Sequence, residues 1–241
     1  MSRKLSFLPG TMCDDRLWSH VRSFLPSTYR VNLVPLYKAN DHEHMHRIIA
    51  HAIDPATHLI GFSMGAYLGT EYVLQHPGCA KSLTIICGAL SDLSARERQR
   101  RHTAIELMSR GRFKGLTDIS RFVHESRMAD PAVAGVVRDM NTDLGKAVFL
   151  AQMTAMTDRQ NLYPILEQQE RVQDLEKTPV HSIFAQDDKM VRLSDADKIK
   201  KLIPGVRIDV LPETGHMAPL EKPKELAELI IDFVEHVENK I

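Results

Sequence analysis

Gly61-Phe62-Ser63-Met64-Gly65 decides how the rest of this chain is read. The run His58-Leu59-Ile60 before it is short and apolar, as a buried strand is. The run Ala66-Tyr67-Leu68-Gly69-Thr70-Glu71-Tyr72-Val73-Leu74 after it reads as a helix. A serine between the two sits on a sharp strand-to-helix turn, with a strained backbone and an exposed hydroxyl. The residues two positions away must be small, because side chains there would collide, and Gly61 and Gly65 meet that need. The new helix also aims its first unpaired N–H groups at the serine. Standing alone, the same five residues would be a glycine-bounded helix start with Ser63 as its N-cap. The rest of the chain has to supply the partners.

Working outward, two strand–helix units precede the serine. Lys4–Leu8 reads as a strand and Asp14–Leu25 as a helix, with Leu17, Trp18, Val21, Phe24 and Leu25 on one face. Arg30–Val34 and Asp41–Ile53 form the second unit, and Lys81–Cys87 is the strand after the serine's helix. From Ser91 to about Glu176 the patterns are helical. Strand–helix order resumes with Pro179–Ala185, Ser194–Ile203, Val206–Leu211 and Pro223–Glu238. Near-continuous apolar strands alternating with helices predict an α/β fold, a doubly wound and mostly parallel sheet of about six strands. The expected organisation is a core of residues 1–90 and 177–241 with a helical cap insertion at 91–176. The cap would lie over the carboxyl strand ends, where open α/β sheets bind ligands.

A serine hydroxyl needs a base, and the base needs an orienting acid. Gln186-Asp187-Asp188-Lys189 follows one strand, and Pro212-Glu213-Thr214-Gly215-His216-Met217 follows the next. The reading is Ser63 as nucleophile, His216 as base and Asp188 as acid. Asp187 competes with Asp188, and Asp92, after the fourth strand, is a further candidate. Backbone N–H groups of Met64, after the nucleophile, and of Thr11, in the Pro9-Gly10-Thr11-Met12 turn, are the expected oxyanion donors. Cys13 lies close by, but no local motif marks it as a nucleophile. Met12, Met190 and Met217 adjoin these motifs and suit a pocket for apolar acyl groups. Met140, Met153 and Met156 lie in the insertion.

Together these segments resemble the α/β-hydrolase superfamily over nearly the whole chain. The opening Leu8-Pro9-Gly10-Thr11-Met12-Cys13-Asp14-Asp15-Arg16-Leu17-Trp18 looks like that of small bacterial esterases. The resemblance implies a fold lacking the family's usual first two strands. It favours Asp188, because Ala185-Gln186-Asp187-Asp188 matches a G-x-x-D run with Ala for Gly. It implies cleavage of a small-molecule ester with neither cofactor nor metal. Acyltransferase, thioesterase and C–C hydrolase chemistry use the same residues, and a non-catalytic binding module is the rival from another class.

Bulk properties narrow the remainder. The 241 residues suit one large domain, and 31 basic against 31 acidic residues leave no field favouring nucleic acid or an anionic membrane. No stretch reaches the apolar length of a membrane span. Three scattered cysteines, Cys13, Cys79 and Cys87, read as reduced thiols, which places the expected protein in the cytoplasm. Two signals compete. His42-Glu43-His44-Met45-His46 matches H-E-x-x-H, a zinc-protease motif. The extended motif needs Gly and His where Ile49 and Ala52 stand, and the apolar stripe Met45, Ile48, Ile49, Ala52, Ile53 leaves His42 and His46 as partly buried residues beside a sheet. Arg96, Arg98, Arg100 and Arg101 cluster on one helix, either as a solvated face or as a site for an anionic substrate.

Overall fold

The computed structural model describes residues 2–111, 118–168, 175 and 177–240. Its six strands are β1 (Arg3–Leu8), β2 (Tyr29–Leu33), β3 (Thr57–Phe62), β4 (Ser82–Ile86), β5 (Val180–Ala185) and β6 (Arg207–Leu211). They form one sheet in the order β2-β1-β3-β4-β5-β6, and every pairing is parallel. β3, β4 and β5 are buried along their whole length, while the edge strands β2 and β6 are partly exposed. That difference explains the continuous apolar character of the inner strands.

Side chains alternate between the two faces. Leu5, Phe7, Ile60, Phe62, Ile86 and Ile183 join one core, which α1 (Ser19–Ser23) and α9 (Pro223–Asn239) cover. Leu8, Leu59, Leu83, Ile85 and Phe184 join the other, under α2 (His42–Ala52), α3 (Met64–Gln75) and α7 (Asp195–Leu202). The expected helix over Asp14–Leu25 is divided. The Asp14 carboxylate accepts the Arg16 N–H and caps a 3-10 turn at Asp15–Trp18, and α1 then runs only to Ser23. Phe24 therefore leaves the buried face and is 45% exposed.

Between β4 and β5 lie α4 (Ala95–Ser109), α5 (Val136–Thr157) and α6 (Tyr163–Leu166), with no strand among the described residues. Parts of the expected 91–176 insertion, at 112–117, 169–174 and 176, lie outside those residues. α5 is kinked at Gly145, whose φ is 68°. Among the described residues no helix is long and apolar enough to cross a membrane.

The chain reverses its winding between β1 and β3: β1 leads outward to β2, whereas β3 leads the other way to β4. That switch opens a crevice at the carboxyl ends of β1 and β3. Among the described residues, four non-glycine residues have left-handed backbone: Met12 (φ 54°), Ser63 (50°), Cys87 (46°) and Glu213 (48°). Each follows the carboxyl end of a strand, respectively β1, β3, β4 and β6. Such strain persists only where the surroundings enforce it, and it gathers at functional edges.

His181, buried in β5, donates its Nε2–H to Asp209 Oδ2 at 2.8 Å, while its Nδ1 has no partner. Burial pushes this imidazole down to about 4; Asp209 opposes the shift, but Arg207 already sits on that carboxylate at 2.7 Å. The unfolded chain takes up a proton below about pH 6.5 that the folded chain refuses until about pH 4. Stability therefore falls as the pH drops through that window. Urea unfolding should show the wild type losing about 3 kcal/mol more than His181→Gln between pH 7 and pH 4.

Candidate active site

Ser63 ends β3 with φ 50° and ψ −110°, and its hydroxyl makes no cap to α3. The turn is tight on both flanks. A Cβ on Gly61 would lie 2.5 Å from the Gly65 carbonyl oxygen, and one on Gly65 would lie 2.6 Å from the Leu8 carbonyl carbon. Ser63 N–H donates to the Ile86 carbonyl at 2.9 Å, which ties the turn to the end of β4.

His216 reaches Ser63 from the far side of the sheet. Two strands separate β3 from β6, about 14 Å at normal strand spacing, so the loop after β6 must fold back over the strand ends. Two bonds carry the β5–β6 pairing beyond the strands: Gln186 N–H to the Leu211 carbonyl and Asp187 N–H to the Thr214 carbonyl, both 2.9 Å. They set Asp188 beside His216. His216 Nδ1 is 2.8 Å from Asp188 Oδ2, and Nε2 is 2.9 Å from Ser63 Oγ. A carboxylate only accepts, so Nδ1 carries the proton and Nε2 accepts from the Ser63 hydroxyl. The side chains of His216 and Asp188 are 6% and 1% exposed. Asp188 Oδ1 accepts the N–H groups of Met190 (2.6 Å) and Val191 (3.0 Å). Asp187 instead turns outward toward His124, and Asp92 pairs with Arg98; neither faces His216. The His216 ring is held against Phe62, 5.2 Å between centroids, and Phe62 in turn meets Trp18 edge-on.

The turn after β1 faces the serine. Met12 N–H donates to Gln152 Oε1 of α5 at 2.8 Å, so it is occupied; Thr11 lies between Gly10 and Met12 in the same turn. Met64 N–H, in the first turn of α3, has no intrahelical acceptor. Met12 packs with Met108 and Phe149 between this turn and the helices α4 and α5. Met217 lies in the core beneath α9, and Met190 packs at the edge of the opposite core. Burial pushes the Cys13 thiol up to about 12, and it donates to the Thr11 carbonyl.

A family model described as "Alpha/beta hydrolase family" matches residues 7–229. The chain belongs to the alpha/beta hydrolase family. It is 24% identical over 196 residues to monoacylglycerol lipase abhd6-B of Xenopus laevis, a match covering 76% of this chain and 56% of the lipase. The chain thus spans about half the length of the curated relatives it matches. Two solved structures share its fold. An esterase from Thermogutta terrifontis aligns with a TM-score of 0.79 at 18% identity, covering 97% of this chain and 90% of the esterase. An enol-lactonase from Burkholderia xenovorans aligns with a TM-score of 0.76 at 16% identity, covering 98% and 92%.

Within this alpha/beta hydrolase, one residue absent from the sequence reading braces the histidine. Glu221, in α8 (Ala218–Glu221), is 1% exposed. Its Oε2 accepts the N–H groups of Gly215 (2.9 Å) and His124 (3.2 Å), and its Oε1 accepts that of Met217 (3.1 Å). One carboxylate thus holds both neighbours of His216 and joins them to the segment between β4 and β5. Met217 N–H is shared with the Phe122 carbonyl at 3.0 Å. Burial pushes the Glu221 carboxyl above its usual range, while the three backbone donors pull it back. The available signal was a lone acid closing the apolar run Met217-Ala218-Pro219-Leu220. Cys87 is a second unforeseen neighbour. Burial and the adjacent Asp188 carboxylate push its thiol well above the usual range, so it stays protonated beside Asp188. On α4, Arg96 and Arg100 are exposed, whereas Arg98 and Arg101 turn toward Asp92 and Glu97.

Glutamine at position 221 would leave an amide N–H group facing backbone donors. Glu221→Gln should react with a fluorophosphonate serine probe roughly 10–100-fold more slowly than the wild type, read as the labelling rate of Ser63.

Proposed function

We propose that this protein is a serine hydrolase that cleaves carboxylic esters of small or medium apolar acyl groups through an acyl-enzyme. One observation carries the reading: the unbroken chain Ser63 Oγ–His216 Nε2 and His216 Nδ1–Asp188 Oδ2 at the sheet's switch point. Ser63 Oγ attacks the acyl carbon while His216 Nε2 takes its proton. The same nitrogen returns the proton to the departing alcohol, and Asp188 fixes the tautomer and balances the imidazolium. The N–H groups of Thr11 and Met64 hold the oxyanion. Water then enters, gives a proton to His216 and releases the acid, with no cofactor required.

The described part of the 91–176 segment serves as a cap, since Gln152, Phe122 and His124 all bond to residues in or next to the loops that carry the reacting groups. Met12, Met108 and Phe149, with Leu144, Val148 and Met153 beside them, form the acyl-side wall. Met190 and Met217 border the loops that carry Asp188 and His216. The relatives named as a lipase, an esterase and a lactonase support ester chemistry as the class.

Hydrolysis of p-nitrophenyl esters from acetyl to decanoyl, by wild type and variants side by side, tests the reading. Ser63→Ala should lower kcat by at least about 10⁴-fold, and Asp188→Asn by roughly 10³–10⁴-fold. The optimum should fall at medium chains. Retained activity in Ser63→Ala would overturn the mechanism, and a strict acetyl preference would overturn the pocket.

A further inference from the structure

The H-E-x-x-H run that the hydrolase reading leaves unused acquires a third partner in the fold. His42 and His46 lie one turn apart on α2, with their rings 4.7 Å apart. Both are partly buried, as expected. Both turn to α3, where His42 Nε2 is 2.7 Å and His46 Nε2 is 2.8 Å from the same oxygen, Glu71 Oε2. One ligand atom from each of the three residues lies within 4.8 Å of the other two.

Glu71 is built in. Its side chain is 4% exposed, and its other oxygen, Oε1, accepts from the Tyr67 hydroxyl and from Gln160 Nε2, both at 3.1 Å. These two donors fix the carboxylate plane and leave Oε2 for the histidines, an arrangement that orients a metal-binding carboxylate. The His42 side chain is 37% exposed, which opens the cluster to water and to an entering ion. A cavity of about 70 Å³ borders Glu71, Gln160 and Leu162 on the inner side.

We propose that His42, His46 and Glu71 bind a divalent transition-metal ion of the zinc class, with water completing the coordination at the open His42 side. Two neutral imidazoles and one carboxylate are a donor set for zinc. Bond lengths near 2.0–2.2 Å place tetrahedral ligands roughly 3.3 Å apart, so each imidazole nitrogen needs to separate from Glu71 Oε2 by only about half an ångström. The site is not that of a protease. Glu43, which would serve as its base, is 84% exposed and pairs with Arg47. A bound ion would instead pin α2 to α3, the helix that begins just after Ser63, and through Gln160 to the stretch that follows α5.

Full-length protein freed of metal with a chelator is titrated with Zn²⁺ by calorimetry, and Co²⁺ is added separately to read the visible band of a tetrahedral site. The expected result is one ion per chain, a Co²⁺ band, a higher Tm with Zn²⁺, and at least tenfold weaker binding in His46→Ala and in Glu71→Gln. Because Glu71 is buried, His42→Gln, a change at the exposed ligand, provides a second variant that should also weaken binding. Among the described residues, the other cluster of ligand-type side chains is Cys87, Asp188 and His216. Binding that survives all three substitutions but blocks Ser63 labelling would place the ion there and overturn the proposal. Absence of saturable binding to the wild type would overturn it as well.

Discussion

At Gly61 and Gly65 two stretches of backbone approach more closely than any side chain allows. Helix α3 starts directly over the ends of β1 and β3, and the room it occupies is the room two Cβ atoms would fill. This contact forces Ser63 into left-handed backbone, sets its hydroxyl above the sheet, and aims the first N–H of α3 at the same place. The switch in winding between β1 and β3 leaves that place open, since no crossover helix covers it. Everything that meets the serine does so at this point.

The other groups arrive on loops, and loops are held here by buried polar contacts. Asp188 is satisfied by His216 and by two backbone N–H groups. Glu221 does the same for the loop of His216, spending one carboxylate on three main-chain donors. Burying these carboxylates carries a desolvation cost, and only complete hydrogen bonding offsets it. The return is position: a histidine that must span the width of two strands is fixed at both its neighbours. Gln152 holds the β1 turn from the opposite side, and Ser120 and His124 contact the loop after β5, so the segment between β4 and β5 touches all three loops around Ser63.

The second polar cluster obeys the same rule at a different place. Glu71 lies on a helix buried on nearly every side, where an unpaired carboxylate would be costly. Two histidines from α2 and two donors on its other oxygen satisfy it. The motif at 42–46 therefore has a structural partner whether an ion is present or not, and this partner is a helix packed beside α2.

Local pattern carried much of this protein. Apolar runs bounded by Gly, Pro and Asp marked all six strands, and the small residues around Ser63 marked the turn, because both depend on neighbours in sequence. The order serine, acid, histidine was legible for the same reason: each follows a strand. Period alone misjudged Phe24, since the Asp14 cap shortened the helix that would have buried it. Tertiary structure decided the rest. Asp188 and Asp187 are adjacent and chemically identical, and only the β5–β6 register turns one to His216 and the other outward to His124. Glu221, Gln152 and Glu71 act on residues whose sequence positions say nothing of their proximity. Their roles exist only once the sheet brings distant loops and helices within hydrogen-bond reach, and no local periodicity encodes that distance.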